Sequence, residues 1–268
     1  MQQKGSRNNW KQLTRALSER TTVSTHDLQE LVQKHVGVQI TYAVRKLIQD
    51  GTLEKIALGR RGLYTVKSSG SKPGFLRDPL EVIQSTYGEE MYYCYGTALF
   101  LHGLSRYGRL SSYYLGNNKA RNKRTFGQFV VWVIKTPVGK ELGVKRHKAG
   151  NHTVFITDIE RTILDCLHKP KYAEGWENVL HALTKIKRID NERILDYAKQ
   201  YQIPSLVGKL GVALEHFKKE WVIAESTLAR LQQYCTHQPV QFLPGHKGRL
   251  NKRWHLYVPD DLFEGDLH

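Results

Sequence analysis

Three helical apolar stripes, two glycine stops and a closing hairpin follow one another within residues 8–66, and few folds accept that order. Trp10, Leu13 and Leu17 recur at helical spacing, which predicts a helix over residues 8–20 with Lys11 and Arg15 facing out. An extended link over 21–24 leads to Ser24, an N-cap residue with Asp27 three positions on, and then to the buried stripe Leu28, Leu31 and Val32. Gly37 ends this second helix. The third carries Ile40, Ala43, Val44, Leu47 and Ile48 on one face and stops at Gly51. Residues 53–58 read as a strand, Gly59-Arg60-Arg61-Gly62 as a turn with cations at its tip, and residues 63–66 as the returning strand. Two short helices joined at a glycine, followed by a basic-tipped hairpin, form the winged helix-turn-helix pattern.

Residues 68–73 are rich in Ser, Gly and Lys and read as a linker, so the expected organisation is a domain over 1–70 and a second over 75–268. In the second, Asp78-Pro79 caps a helix. Residues 91–95 read as a strand and 96–104 as an apolar helix. Strand-like segments at 112–115, 129–134, 142–146 and 153–156 follow. From Asp158 the periodicity is helical, over 160–167, 176–186, 192–201, 204–217 and 226–234. The fold class expected is α+β: an N-terminal winged helix-turn-helix, then a mixed α+β domain with a helical C-terminal half.

Hydrophobic residues make up 40% of the 268, enough for two cores and too many for a disordered chain. Residues 1–9 are charged and lack an apolar core, and the longest apolar run, 129–134, is far too short to span a bilayer. A cytoplasmic protein without membrane association is expected. Cys94, Cys166 and Cys235 are widely spaced, so buried free thiols are expected rather than disulfides or a zinc site.

The net charge is +16 and unevenly placed: residues 1–70 hold 12 basic and 5 acidic side chains, 71–152 hold 13 and 5, and 153–268 hold 16 and 15. A field of one sign over the first 152 residues suits a polyanion, because each neutralised phosphate releases counterions.

The polar face of the third helix supplies the candidate contacts. Gln39, Thr41, Tyr42, Arg45 and Lys46 point away from its apolar stripe, as does Gln49, and such a helix fits the major groove. Arg45 can donate two hydrogen bonds to guanine and Gln39 can pair with adenine. Tyr42 and Lys46 suit phosphate or sugar. Arg60 and Arg61 at the hairpin tip would follow the backbone or enter the minor groove. Further cations could extend this footprint, or meet RNA or an acidic partner: Lys119, Arg121, Lys123 and Arg124 in a polar loop, and Lys145, Arg146 and Lys148 around His147 at a strand end.

The winged pattern, the segment Tyr95-Gly96-Thr97-Ala98-Leu99-Phe100-Leu101-His102-Gly103-Leu104 and the segment Thr157-Asp158-Ile159-Glu160-Arg161-Thr162-Ile163-Leu164-Asp165 together resemble the AbiEi family of abortive-infection antitoxins. The resemblance spans nearly the whole chain. It implies a transcriptional repressor that binds inverted repeats in its own promoter, as two copies of the chain, and counteracts a co-encoded nucleotidyltransferase-like toxin of a type IV toxin-antitoxin system. The basic segment around Lys247, Arg249, Lys252 and Arg253 departs from the family pattern. Read physically, Asp158 caps a helix with Glu160 in its first turn, Arg161 and Asp165 are spaced for an ion pair, and His102 is a packing or helix-end histidine.

Motifs of catalysis are missing. There is no Asp-x-Lys or Glu-x-Lys, no His-Glu-x-x-His, no complete phosphate loop and no glycine fingerprint opening a helix. The His residues near the C-terminus make no metal spacing with the cysteines. No enzyme, cofactor or metal is expected. The alternative is an RNA-directed or nucleic-acid-processing protein that docks its substrate through the winged module.

Overall fold

The computed structural model describes residues 7–56, 62–68, 78–117, 119, 121–126, 128–150 and 152–263. The fold is mixed α and β, with ten α-helices and twelve strands among the described residues. No described helix is long and apolar enough to cross a membrane. The chain forms two compact units: Met1–Met91 with Asn122–Trp132 and Lys148–Val154, and Tyr92–Arg121 with Val133–His147 and Phe155–His268.

The first unit opens with α1 (Arg7–Ser18), β1 (Thr22–Ser24), α2 (Thr25–His35), α3 (Ile40–Gln49), β2 (Leu53–Lys55) and β3 (Leu63–Val66). Each boundary has a local cause. Ser24 caps α2 by accepting the Asp27 backbone N–H at 3.1 Å, and its hydroxyl donates to the Asp27 carboxylate at 2.8 Å. At the other end Gly37 takes φ +67° and its N–H returns to the Val32 carbonyl at 2.9 Å, closing the turn into α3. Strand β3 pairs antiparallel with both β1 and β2 in a small sheet of order β1-β3-β2. Gly62, at φ +75°, leaves room for Thr25: a Cβ there would stand 2.7 Å from the Thr25 Oγ1. The space lets Thr25 donate through both N–H and Oγ1 to the Gly62 carbonyl, which anchors the returning strand on the start of α2.

Leu13 and Leu17 of α1, Leu28 and Val32 of α2, Ala43 and Leu47 of α3, and Val66 of β3 bury together, with Trp10, Ile40, Val44 and Ile48 packed around them. Each large side chain so buried is worth about 1.5–3 kcal/mol. Helix α4 (Pro79–Tyr87), capped by Asp78, packs beside β1.

A six-stranded sheet has the order β6-β7-β5-β4-β9-β8, made of β4 (Tyr92–Tyr93), β5 (Ser112–Asn117), β6 (Asn122–Phe126), β7 (Phe129–Lys135), β8 (Val144–Ala149) and β9 (His152–Thr157). β4 pairs antiparallel with β5 and parallel with β9. The second unit holds α5 (Tyr95–Leu101), α6 (Ile159–His168), α7 (Trp176–Lys185), α8 (Asn191–Tyr201), α9 (Pro204–His216), α10 (Glu225–Gln232) and a three-stranded sheet of β10 (Val240–Gln241), β11 (Arg249–Asn251) and β12 (Leu256–Val258). Trp254 at its heart is fully buried, and its indole N–H donates to Glu215 at 2.9 Å. All three cysteines are free and buried.

Three sequence expectations need correction. Residues 119–124 do not form one polar loop, because 122–126 are strand β6, which extends the sheet edge beside β7. Residues 145, 146 and 148 lie inside β8 rather than at a strand end, since the strand runs on to Ala149. Tyr95 opens α5 instead of closing the preceding strand, which is only Tyr92–Tyr93. The three short C-terminal strands have no counterpart in the sequence reading.

Candidate nucleic-acid interface

Helix α3 sorts its residues into two faces. Ala43 and Leu47 are buried, Ile40, Val44 and Ile48 pack partly against the same core, and Gln39, Thr41, Tyr42, Arg45 and Gln49 are exposed. Gln39 is the N-cap residue but makes no side-chain capping bond, so its amide stays available. Arg45 has no ion pair or hydrogen bond with another described residue. A guanidinium left to water keeps all its donors for a partner.

Lys46 differs from its neighbours. It is half-buried, 3.1 Å from the Asp50 carboxylate, with its ammonium 5.4 Å from the Trp10 ring centre. Tyr42 meets the same Trp10 edge-on at 6.3 Å and remains 45% exposed. Trp10 of α1 therefore braces two residues of α3, holding Tyr42 at the edge of the exposed face. Of the hairpin cations, Arg60 and Arg61 lie outside the described residues.

The other basic residues occupy the two edge strands of the larger sheet. Lys123 and Arg124 belong to β6 and are exposed, with Lys119 and Arg121 exposed just before it. Lys123 lies 4.5 Å from the Trp132 ring centre. Lys145, Arg146 and Lys148 are exposed along β8, where alternation puts Arg146 and Lys148 on one face and Lys145 with His147 on the other. Arg146 sits 5.9 Å from the Phe155 ring. Charged side chains on edge strands also block strand-to-strand aggregation, so their position has a structural use of its own.

The two short motifs of the second unit are interior. Tyr95 through Leu99 are buried, as are Glu160 through Leu167. Asp158 caps α6 by accepting the Arg161 N–H at 2.9 Å and takes a hydrogen bond from the Tyr197 hydroxyl at 2.9 Å. Arg161 is fully buried and donates to the carbonyls of Val138, Gly139 and Leu142 and to the Tyr92 hydroxyl, with Asp165 3.7 Å away. Burial opposes the charge of Arg161, but Asp165 and the surrounding tyrosines raise its pKa on balance. Burial also pushes the Asp165 carboxyl up, against the pull of Arg161 and of Tyr201, whose hydroxyl donates to it at 2.7 Å. His102 ends α5, and its Nε2 lies 2.7 Å from the Thr157 carbonyl; burial lowers its pKa. These groups hold α5, α6 and α8 to one another. In the C-terminal sheet, Arg249 pairs with Asp260 at 3.1 Å and Arg253 with Glu215 and Glu225 at 3.0 and 2.7 Å.

One polar cluster has no precedent in the sequence reading: His152 stands between Asp78 and Glu81. The Asp78 cap was visible, but a partner 74 positions away in sequence leaves no periodic trace.

No protein-family model matches the chain, and no curated protein matches it. Among solved structures the chain is similar to the crystal structure of the RV2827C protein from Mycobacterium tuberculosis, with a TM-score of 0.67 and 14% identity over 96% of this chain and 94% of that one. That likeness is one of fold, and it extends over nearly the full length of both chains.

Proposed function

We propose that the chain is a DNA-binding transcriptional repressor whose first 70 residues are a winged helix-turn-helix. In this reading α3 enters the major groove, with Arg45 and Gln39 on base edges and Thr41 and Tyr42 on phosphate or sugar. Trp10 positions Tyr42, and Lys46, drawn toward Asp50 and Trp10, meets phosphate or sugar at the groove edge. The observation that carries the reading is the division of α3: one face closes a core, while the other leaves the Arg45 and Gln39 side chains without partners among the described residues. The hairpin β2–β3 takes the place of the wing, and Arg60 and Arg61 are assigned to the DNA backbone from sequence.

The family resemblance extends this to a cytoplasmic antitoxin that represses its own operon by binding inverted repeats as two copies. It would then oppose a nucleotidyltransferase-like toxin and act without catalysis of its own. The cations on β6 and β8 are secondary contacts in this scheme. A mobility-shift titration on the DNA upstream of its reading frame tests it: binding to a repeated site in preference to scrambled duplex is expected, and equal binding to both refutes it.

A further inference from the structure

A cavity of about 630 Å³ in the first unit is lined by Glu19, Arg20, Asp78, Glu81, Gly150 and His152 together with Thr21 and Thr22. Three separate pieces of chain bring the donors to it. Asp78 is the N-cap of α4 and Glu81 sits in its first turn, so the cap bond from the Glu81 N–H to Asp78 Oδ1 at 3.1 Å fixes the carboxylate and leaves Oδ2 facing the cavity. His152 begins β9 after the turn at Gly150, which takes φ +61°. Glu19 directly follows the last residue of α1.

His152 is flanked by two carboxylates, one at each ring nitrogen. Its Nε2 lies 3.2 Å from Asp78 Oδ2 and its Nδ1 3.4 Å from Glu81 Oε2. Yet Nε2 is buried and makes no hydrogen bond, because the nearby carboxylate stands off the N–H axis. Oxygen and nitrogen ligands at about 2.0–2.1 Å from a tetrahedral zinc ion stand roughly 3.3 Å apart, close to the separation of Nε2 and Asp78 Oδ2, and an ion held there would draw the Glu81 carboxylate over from Nδ1. One ligand atom from each of the three residues falls within 4.8 Å of the others. With a neutral imidazole, Glu19, Asp78 and Glu81 outweigh the single charge of Arg20, so the cavity favours a cation.

We propose that Asp78, Glu81 and His152 form a binding site for one zinc-class divalent ion, with water completing its coordination. The mixed imidazole and carboxylate donors fit zinc better than magnesium, which prefers oxygen and keeps its water. Bound there, the ion ties the start of β9 to the start of α4 beside the link between α1 and β1. The site does not depend on DNA binding, and its test needs none.

Calorimetric titration of metal-stripped full-length protein with zinc chloride should show one ion per chain, while magnesium chloride gives no comparable heat. Cobalt(II) should produce the intense visible absorption of a low-coordinate site and be displaced by zinc. Glu81→Gln and His152→Gln should each weaken zinc binding about 10-fold or more, with circular dichroism confirming the fold. If His152→Gln does not fold, the partly exposed Glu81→Gln decides alone. His26→Asn checks the exposed group His26, Asp27 and Glu30, the other place where such donors converge among the described residues. Absence of a stoichiometric zinc site overturns the proposal, as does binding unchanged in Glu81→Gln or lost only in His26→Asn.

Discussion

Two arginines, Arg45 on α3 and Arg161 on α6, mark opposite uses of charge in this protein. Arg161 is buried and surrounded by carbonyls, a tyrosine hydroxyl and a carboxylate. Arg45 is exposed and has no described partner. Desolvating a guanidinium is costly, so the chain gives acceptors to both terminal nitrogens of the buried one and the cost of removing it is structural. The exposed one keeps its donors in water, where a partner could take them up at little cost. The comparison teaches that a cation's surroundings, more than its presence in a motif, separate fold from function.

Substitution should break the comparison most visibly at the buried end. Arg161→Met strands Asp165 without its countercharge and should lower stability by about 3–5 kcal/mol in urea denaturation. Little change would mean that the network around Arg161 contributes nothing net. Leu47→Ala, on the hidden face of α3, should cost about 2–5 kcal/mol and loosen the first unit, read by thermal melting and by lost promoter binding. On the exposed face Arg45→Ala should leave the melting temperature unchanged, yet cost about 1–3 kcal/mol of discrimination at one base pair.

Acid sharpens the contrast from another side. Burial, with Lys169 and Lys209 nearby, pushes the His168 imidazole down to about 4. The unfolded chain binds this proton near pH 6.5 and the folded chain only near pH 4, so stability falls as pH drops through that window. Because His168 is partly exposed, the loss should be roughly 1 kcal/mol after solvent screening, and His168→Gln should remove it in pH-dependent melts. The smallest effect expected is that of Asp50→Ala, which frees Lys46 from an exposed i,i+4 pair and should change stability by no more than about 0.5 kcal/mol.

Where structure follows from local spacing, the sequence reading was close. The caps at Ser24, Asp78 and Asp158 form as their residue types require. The five helices from α6 to α10 fall within a few residues of their apolar periods. β6 escaped because its residues are polar and exposed, so it lacks the alternation that marks a half-buried strand. The C-terminal sheet escaped because its strands are two or three residues long and held by Trp254 rather than by any pattern of their own. The exposed face of α3 was legible, since an amphipathic helix shows what it hides and what it leaves out. The inclusion of 122–132 and 148–154 in the first unit, and with it the meeting of His152 with Asp78 and Glu81, depends on chain return and has no local signature.

The most direct measurement of the central claim is fluorescence anisotropy of the wild-type chain and Arg45→Ala on labelled promoter and scrambled duplexes at one salt concentration. The account predicts that wild type prefers the promoter, and that Arg45→Ala loses about 10-fold or more of that preference while binding scrambled DNA nearly as before. An unchanged preference in Arg45→Ala would contradict it.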